Sequence, residues 1–252
     1  MTVAPAAPVL LLEQTDSTNA EARRRAEAGE TGPLWIAARR QTAGRGRRGR
    51  VWESDTGNLF ATLLTTTRKP PAEAAQVTFI AALAVADLLD RYAPPSLVTI
   101  KWPNDVMLAG DKVAGVLVES GVHASGGLWL AVGIGINLAE APVGTERPAT
   151  ALAQHLSGQV GAPPMIDVAL RELAEAFSVW MTRWEALGFE PVLDAWRART
   201  TGLDGPAVAR LGHETVTGRA EGVAPDGALR LRLAGGELRL ISAGDVFFGE
   251  AA

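Results

Sequence analysis

Six arginines and three glycines share the twelve positions of RRQTAGRGRRGR, residues 39–50, in a chain whose formal net charge is −4. Gly44, Gly46 and Gly49 let a backbone approach a ligand closely, and Arg45, Arg47, Arg48 and Arg50 supply forked donors that suit carboxylate and phosphate oxygens. By composition alone the block is equally an anion cradle or a solvated Arg/Gly turn of the kind that meets nucleic acid. Its flanks favour the cradle. Gln41 and Thr42 on one side and Trp52 on the other add a planar hydrogen-bonding group and an aromatic surface. The Arg/Gly unit also does not repeat with interleaved aromatics, as segments that bind single strands do.

A second cluster is KWPND, residues 101–105. A strand ending in Trp-Pro and followed by Asn104 and Asp105 places oxygen ligands beside Lys101, a set that suits Mg²⁺ held jointly with a phosphate. A packed turn with Asp105 capping the backbone accounts for the same residues. Only three of the 24 basic residues are lysines, Lys69, Lys101 and Lys112. A compact ammonium differs most from a five-donor guanidinium where a small charge must meet a developing anion in a closed pocket, and Lys101 and Lys112 fit that setting better than Lys69 in its TRKPP loop. GIGIN (133–137) lacks the third glycine of a dinucleotide fingerprint, but its glycines permit close approach to a strand.

Composition narrows the chemistry further. With no cysteine and three scattered histidines (His123, His155, His213), thiolate catalysis, disulfides and Cys/His metal sites are excluded. At 252 residues and 47% hydrophobic, the chain can bury one large core, or a large and a small one. The N-terminus has no signal-peptide pattern, and no segment reads as a membrane span, so a cytoplasmic protein is expected. An acidic balance argues against a general nucleic-acid coat.

These residues need elements to hold them. VLLLEQ (9–14) reads as a strand. TNAE (18–21) reads as a capping box, with Thr18 as cap and Glu21 reaching back, opening a helix to about Ala28. LWIAAR and NLFATLLTT read as strands on either side of the Arg/Gly block. A long buried helix is expected from Pro71 to about Tyr92. LVTIKW, a hairpin turning at Gly110-Asp111, and LWLAVGIGIN follow as β segments. Residues 139–149, rich in Pro, Gly and charge, read as a loop. The stripe Ile166, Leu170, Leu173, Phe177, Trp180, Trp184, Leu187 marks one face of a helix, and FEPVLDAWRAR marks another. Five short strands then fill the last 50 residues or so, the pattern of a small SH3-like barrel.

Taken together, DSTN (16–19), QTAGRGRRGRVW (41–52), KWPNDV (101–106), DKVAGVLVE (111–119) and GIGIN (133–137) resemble biotin protein ligases in order and spacing, over the chain from about residue 9. The resemblance implies an α+β fold: a catalytic domain related to class II aminoacyl-tRNA synthetases (1–202), with a mixed sheet and flanking helices, and an SH3-like C-terminal domain (203–252). It implies a reaction in which biotin and ATP give biotinyl-5′-AMP, with the biotinyl group then passed to one lysine of a biotin carboxyl carrier protein. Positioning and electrostatics suffice for that, without an enzyme nucleophile.

By the same resemblance Ser17, Thr18, Asn19 and Gln41 bind the biotin head, with Gly44, Gly115 and Gly133 lining its pocket. Arg45, Gly46 and Arg47 close over biotin and phosphate, Lys112 contacts the reacting carboxylate and phosphate, and Lys112, Arg45 and Arg47 form the catalytic set. Arg47, Arg48, Arg50, Trp52, Lys101, Asn104, Asp105 and Asn137 are implied nucleotide contacts, with Asp105 a ligand for Mg²⁺. Some relatives carry an N-terminal helix-turn-helix domain. Only about fifteen residues precede DSTN here, so a monofunctional ligase is expected, without nucleic-acid or membrane binding and as a monomer or weak homodimer. The alternatives are a lipoate or octanoate ligase or transferase of the same fold, and an Arg/Gly-loop RNA-binding module.

Overall fold

The computed structural model describes residues 7–53, 56–158 and 160–249. Its larger unit is a seven-stranded sheet ordered β1-β2-β3-β7-β6-β5-β4. The strands are β1 (Val9–Leu12), β2 (Leu34–Ala38), β3 (Leu59–Thr67), β4 (Val98–Lys101), β5 (Asp105–Leu108), β6 (Asp111–Val122) and β7 (Leu128–Ile136). Only β1 and β2 pair in parallel; the other neighbours are antiparallel.

Every residue of β2 is buried because both faces of the sheet are covered. On one face Leu34 and Ile36 meet Ala22 and Ala26 of α1 (Thr18–Glu27). On the other, Trp35 and Ala37 join the main core with α3 (Val77–Leu89), α4 (Ile166–Leu187) and α5 (Glu190–Ala198).

Pro71 does open a helix, α2 (Pro71–Ala74), but the expected single helix tightens after it. The amides of Gln76, Thr78 and Phe79 bond three residues back instead of four, which separates α2 from α3. Eleven of the thirteen α3 residues are buried. By length and composition Pro71–Leu89 is apolar enough to cross a membrane, contrary to the sequence reading, yet most of it is buried within the core of this fold. In α4, the stripe from Ile166 to Trp184 is buried as expected, whereas Leu187 at the helix end is 64% exposed.

Two local expectations fail for physical reasons. No capping box forms at α1: Ser17 is the N-cap and makes no side-chain cap bond, and Glu21 instead binds Arg24 and Arg25. The β5–β6 turn is Ala109-Gly110, not Gly110-Asp111. Both turn residues have positive φ, 53° and 92°, the twist that a two-residue hairpin requires.

The second unit is a five-stranded antiparallel sheet ordered β11-β10-β9-β8-β12, built from β8 (Asp204–Arg210), β9 (Thr215–Val223), β10 (Leu229–Leu233), β11 (Leu238–Ile241) and β12 (Asp245–Phe248). It locks onto the first. Trp102, buried at the end of β4, donates from Nε1 to the Gly227 carbonyl at 2.9 Å. A Cβ on Gly227 would stand 2.6 Å from the Phe79 ring, so the contact admits only glycine.

The single tyrosine, Tyr92, donates its hydroxyl to Glu172 on α4 at 2.7 Å. Burial first, then this bond, pushes its pKa up to about 12. The neutral phenol is thus favoured in the folded state. Its stabilising contribution is complete below the unfolded value of roughly 10 and is lost as pH rises from there through about 12. We expect absorbance titration of the one phenol to give a midpoint near 12 in the folded protein, and a lower one in Glu172→Ala that stays above the ordinary value because burial remains. A folded-state midpoint equal to that of free tyrosine would contradict the bond.

Candidate functional site

A cavity of about 320 Å³ opens between the sheet, the Arg/Gly loop, the 139–149 loop and the edge of the second unit. At one end lie Ser17, Thr18, Asn19 and Gln41. Freed from capping duty, the side chains at the start of α1 turn to the cavity; Ser17, Thr18 and Asn19 are 4%, 4% and 5% exposed. The Thr18 amide donates to Gln41 Oε1 at 2.8 Å, which ties the helix start to the loop after β2. Asp16 supports that start from outside. Its carboxyl accepts from Arg24 and from the Ser17 amide and is held well below the usual carboxylate range, chiefly by the Arg24 bonds.

The floor is a glycine-lined stretch of sheet. A Cβ on Gly133 would sit 2.1 Å from Asn19 Oδ1, and one on Gly135 would sit 2.5 Å from the Trp52 ring. A Cβ on Gly115 would come within 3.1 Å of Trp52 and 3.2 Å of Lys112 Nζ. The strand glycines of GIGIN therefore make room for the side chains of Asn19 and Trp52, which in turn shape the cavity.

The other end is cationic. Lys112 Nζ pairs with Asp105 Oδ1 at 2.6 Å and lies 5.4 Å from the centre of the Trp52 ring. Asp105 Oδ2 faces Arg147 at 3.4 Å. Arg147 also donates to the Val246 carbonyl and stacks 4.2 Å over Phe247. Asn104 donates to the Val116 carbonyl at 2.7 Å and accepts from Arg47 at 2.9 Å, while Asn137 donates to the Thr150 carbonyl.

Within the loop, the Trp52 amide bonds the Gly44 carbonyl and the Gly46 amide bonds the Arg50 carbonyl, closing a tight turn with Arg48 at φ 58° and Gly49 at φ 73°. Arg47 reaches the Gly244 carbonyl at 3.1 Å, and burial lowers its pKa from the ordinary value. Arg48 and Arg50 both bind Asp245. Arg47, Arg48 and Arg50 are thus tied to Asn104 or to the second unit.

Of the residues the sequence singled out, Ser17, Thr18, Asn19, Gln41, Arg45, Gly46, Arg47, Arg50, Trp52, Asn104, Asp105, Lys112, Gly115, Gly133 and Asn137 line this one cavity. Gly44 and Arg48 do not line it: the Gly44 carbonyl accepts from the Trp52 amide, and Arg48 reaches Asp245 of the second unit. Lys101 Nζ lies 6.0 and 5.9 Å from the Phe247 and Phe248 rings, on the second unit's side. Both Asp105 oxygens face cations, Lys112 and Arg147, and among the described residues no group of three or more His, Cys, Asp or Glu stands together to hold a metal ion.

Sequence reasoning passed over Arg147 and Asp245, both cavity-lining, and Thr62 and Glu119 behind the polar end. A buried threonine in the aliphatic run LFATLL was the one available signal.

Residues 11–137 match the Biotin/lipoate A/B protein ligase family, and residues 208–249 match the Biotin protein ligase C terminal domain. The chain is 43% identical over 241 residues to a biotin–[acetyl-CoA-carboxylase] ligase of Paracoccus denitrificans, covering 95% of this chain and 100% of that one. It is 31% identical over 215 residues to the bifunctional ligase/repressor BirA of Bacillus subtilis, covering 82% of this chain and 64% of that one. Among solved structures, the biotin protein ligase from Aquifex aeolicus in complex with biotin and ATP matches with a TM-score of 0.79 and 25% identity, over 96% of this chain and 99% of that one.

Proposed function

The chain belongs to the biotin/lipoate A/B protein ligase family, and on that premise we propose that it is a biotin protein ligase, joining biotin to ATP and then to a carrier lysine. The observation that carries this reading is the polarity of one cavity, with hydrogen-bonding groups (Ser17, Thr18, Asn19, Gln41) at one end and cations (Arg47, Lys112, Arg147) at the other. Biotin has the matching ends, a ureido head and a carboxylate.

In the first step a carboxylate oxygen of biotin attacks the α-phosphorus of ATP, forming the acyl–phosphate bond as pyrophosphate leaves. Lys112 faces the anionic oxygens that crowd together there, and Arg45, Arg47 and Arg50 surround the phosphates, with Trp52 against the adenylate. In the second step the carrier lysine amine attacks the acyl carbon, AMP leaves, and the nitrogen loses a proton. No enzyme nucleophile enters either step, in keeping with the absence of cysteine. Any Mg²⁺ arrives on the nucleotide phosphates.

We take the acceptor to be a biotin carboxyl carrier protein, the partner implied by the name of the Paracoccus relative. We read the enzyme as cytoplasmic, a monomer or weak homodimer, and without a nucleic-acid partner. A lipoate ligase is the second reading, since the family includes one; the polar end disfavours it, because a dithiolane ring offers that end no N–H.

The test mixes the protein with ATP, Mg²⁺ and either biotin or lipoate and follows pyrophosphate release. Release with biotin and not with lipoate is expected. Release with lipoate alone, or with neither, would overturn the reading.

A further inference from the structure

Behind the polar end of the cavity runs a chain of hydrogen bonds whose direction is fixed at its far end. Asn19 Nδ2 lies 2.7 Å from Glu119 Oε2 and 3.2 Å from the Leu117 carbonyl. Both partners are acceptors, so the amide nitrogen must face them and Oδ1 must face the other way. There it meets Thr62 Oγ1 at 2.7 Å. An amide oxygen has no proton, so Thr62 donates its single hydroxyl proton to Asn19.

Thr62 Oγ1 also lies 2.8 Å from Thr18 Oγ1. Thr18 Oγ1 is also 3.2 Å from Gln41 Oε1, which only accepts, so with the Thr62 proton committed the Thr18 proton goes to Thr62 or to Gln41. The Thr18 oxygen is then left with lone pairs and no proton for the cavity. Thr62 is wholly buried, and Thr18 and Asn19 nearly so, which keeps water from reversing the order.

We propose that Glu119 is a positioning residue that, through Asn19 and Thr62, keeps Thr62 from donating to Thr18, leaves the Thr18 lone pairs open and so selects a ligand head carrying an N–H. The inference rests on the biotin reading above and names how that site tells a ureido ring from a dithiolane. A buried acceptor left unpaired by the wrong ligand rejects it far more strongly than a missing methylene would. Glu119 itself does not line the cavity and touches no substrate.

The test is a series at position 119, read as KM for biotin, KM for ATP and kcat in pyrophosphate release. Glu119→Ala removes the charged acceptor and is expected to raise the biotin KM about tenfold, the scale of one hydrogen bond to a charged group. The ATP KM and kcat should change less than about twofold on that scale. Glu119→Gln, whose Oε1 can still accept from Asn19, should recover most of the affinity. Glu119→Lys offers only donors and invites Asn19 to turn over. Thr62 would then donate to Thr18 and occupy a lone pair that the ligand N–H needs, and the biotin KM should rise beyond that of Glu119→Ala. Dethiobiotin, which keeps the ureido N–H groups, should shift in parallel with biotin across the series.

A flat biotin KM across the series overturns the proposal. So does a Glu119→Ala that raises the ATP KM equally, or a Glu119→Gln no better than Glu119→Ala. A wild-type protein that releases no pyrophosphate with biotin overturns the function reading and this inference together, whereas a flat series in an active enzyme removes only the latter.

Discussion

Lys112→Ala is expected to lower the rate of biotinyl-5′-AMP formation by ~10²–10³ while leaving the fold intact, the usual cost of deleting one preorganised donor at a developing anion. The side chain stands at the start of β6, where its backbone bonds to Pro148 and Thr150 do not depend on the ammonium. Its Nζ is fixed between Asp105 at 2.6 Å and the Trp52 face, over a Gly115 too close to admit a Cβ comfortably. That confinement makes Lys112→Arg nearly as damaging. A guanidinium needs room for a planar fork and would seek both oxygens of Asp105, displacing Arg147 and turning away from the reacting carboxylate.

Asp105→Asn separates the two duties of the pair. It removes the charge that holds the ammonium, so a milder loss is expected, through misplacement alone. Lys69→Arg is the control. Its ammonium lies 4.6 Å over Trp184 and 3.4 Å from Glu73, contacts that a guanidinium also makes well, and near-neutral activity is expected. Quenched-flow detection of the adenylate measures the step directly. A wild-type rate in Lys112→Arg would show that the point charge is not what the reaction needs.

What was legible in the chain follows from how far apart the interacting residues lie. The short apolar runs of β2 and β7, buried almost throughout, and the three-and-four stepping in α4 are local patterns, and the architecture could be read from them. Gly133 and Gly135 were legible as sites of close approach, and what approaches them within the chain is Asn19 and Trp52, residues too far off in sequence to be read from the glycines. The capping box failed because the same four residues also suit a helix start whose side chains face a cavity, and local sequence cannot tell which side a hydroxyl turns to. Asp245 and Glu119 were invisible for a different reason. Each looks like an ordinary polar strand residue, and its meaning lies in partners 195 or 100 positions away. Arg147, in a loop read as merely connective, gains its role only because the second unit presents Phe247 beneath it and the Val246 carbonyl beside it.

Asp245→Ala is expected to cost ~10² in kcat/KM for the ATP-dependent step, because misplacing a catalytic loop by about 1 Å has effects of that size. The carboxylate is buried at the edge of β12 and is shared by Arg48 and Arg50, which carry like charges two residues apart. Without it those guanidinium groups repel each other, and the loop's arginines keep the two Arg47 bonds, to Asn104 and the Gly244 carbonyl, and the 3.8 Å pair of Arg50 with Glu146. Asp245→Asn retains a neutral acceptor and should recover part of the loss. Added salt should narrow the gap between Asp245→Ala and wild type by screening the arginines.

Trypsin provides a second readout: cleavage after Arg47, Arg48 or Arg50 should be faster in Asp245→Ala, and slower again when biotin and ATP neutralise the loop. The same geometry sets what a truncation at residue 204 should do. The second unit supplies Asp245 and the Gly244 carbonyl to the Arg/Gly loop and the Gly227 carbonyl to Trp102, so its removal should slow adenylate formation as well as transfer to the carrier. Asp245→Ala with a wild-type first step and unchanged cleavage would refute the loop's dependence on this carboxylate.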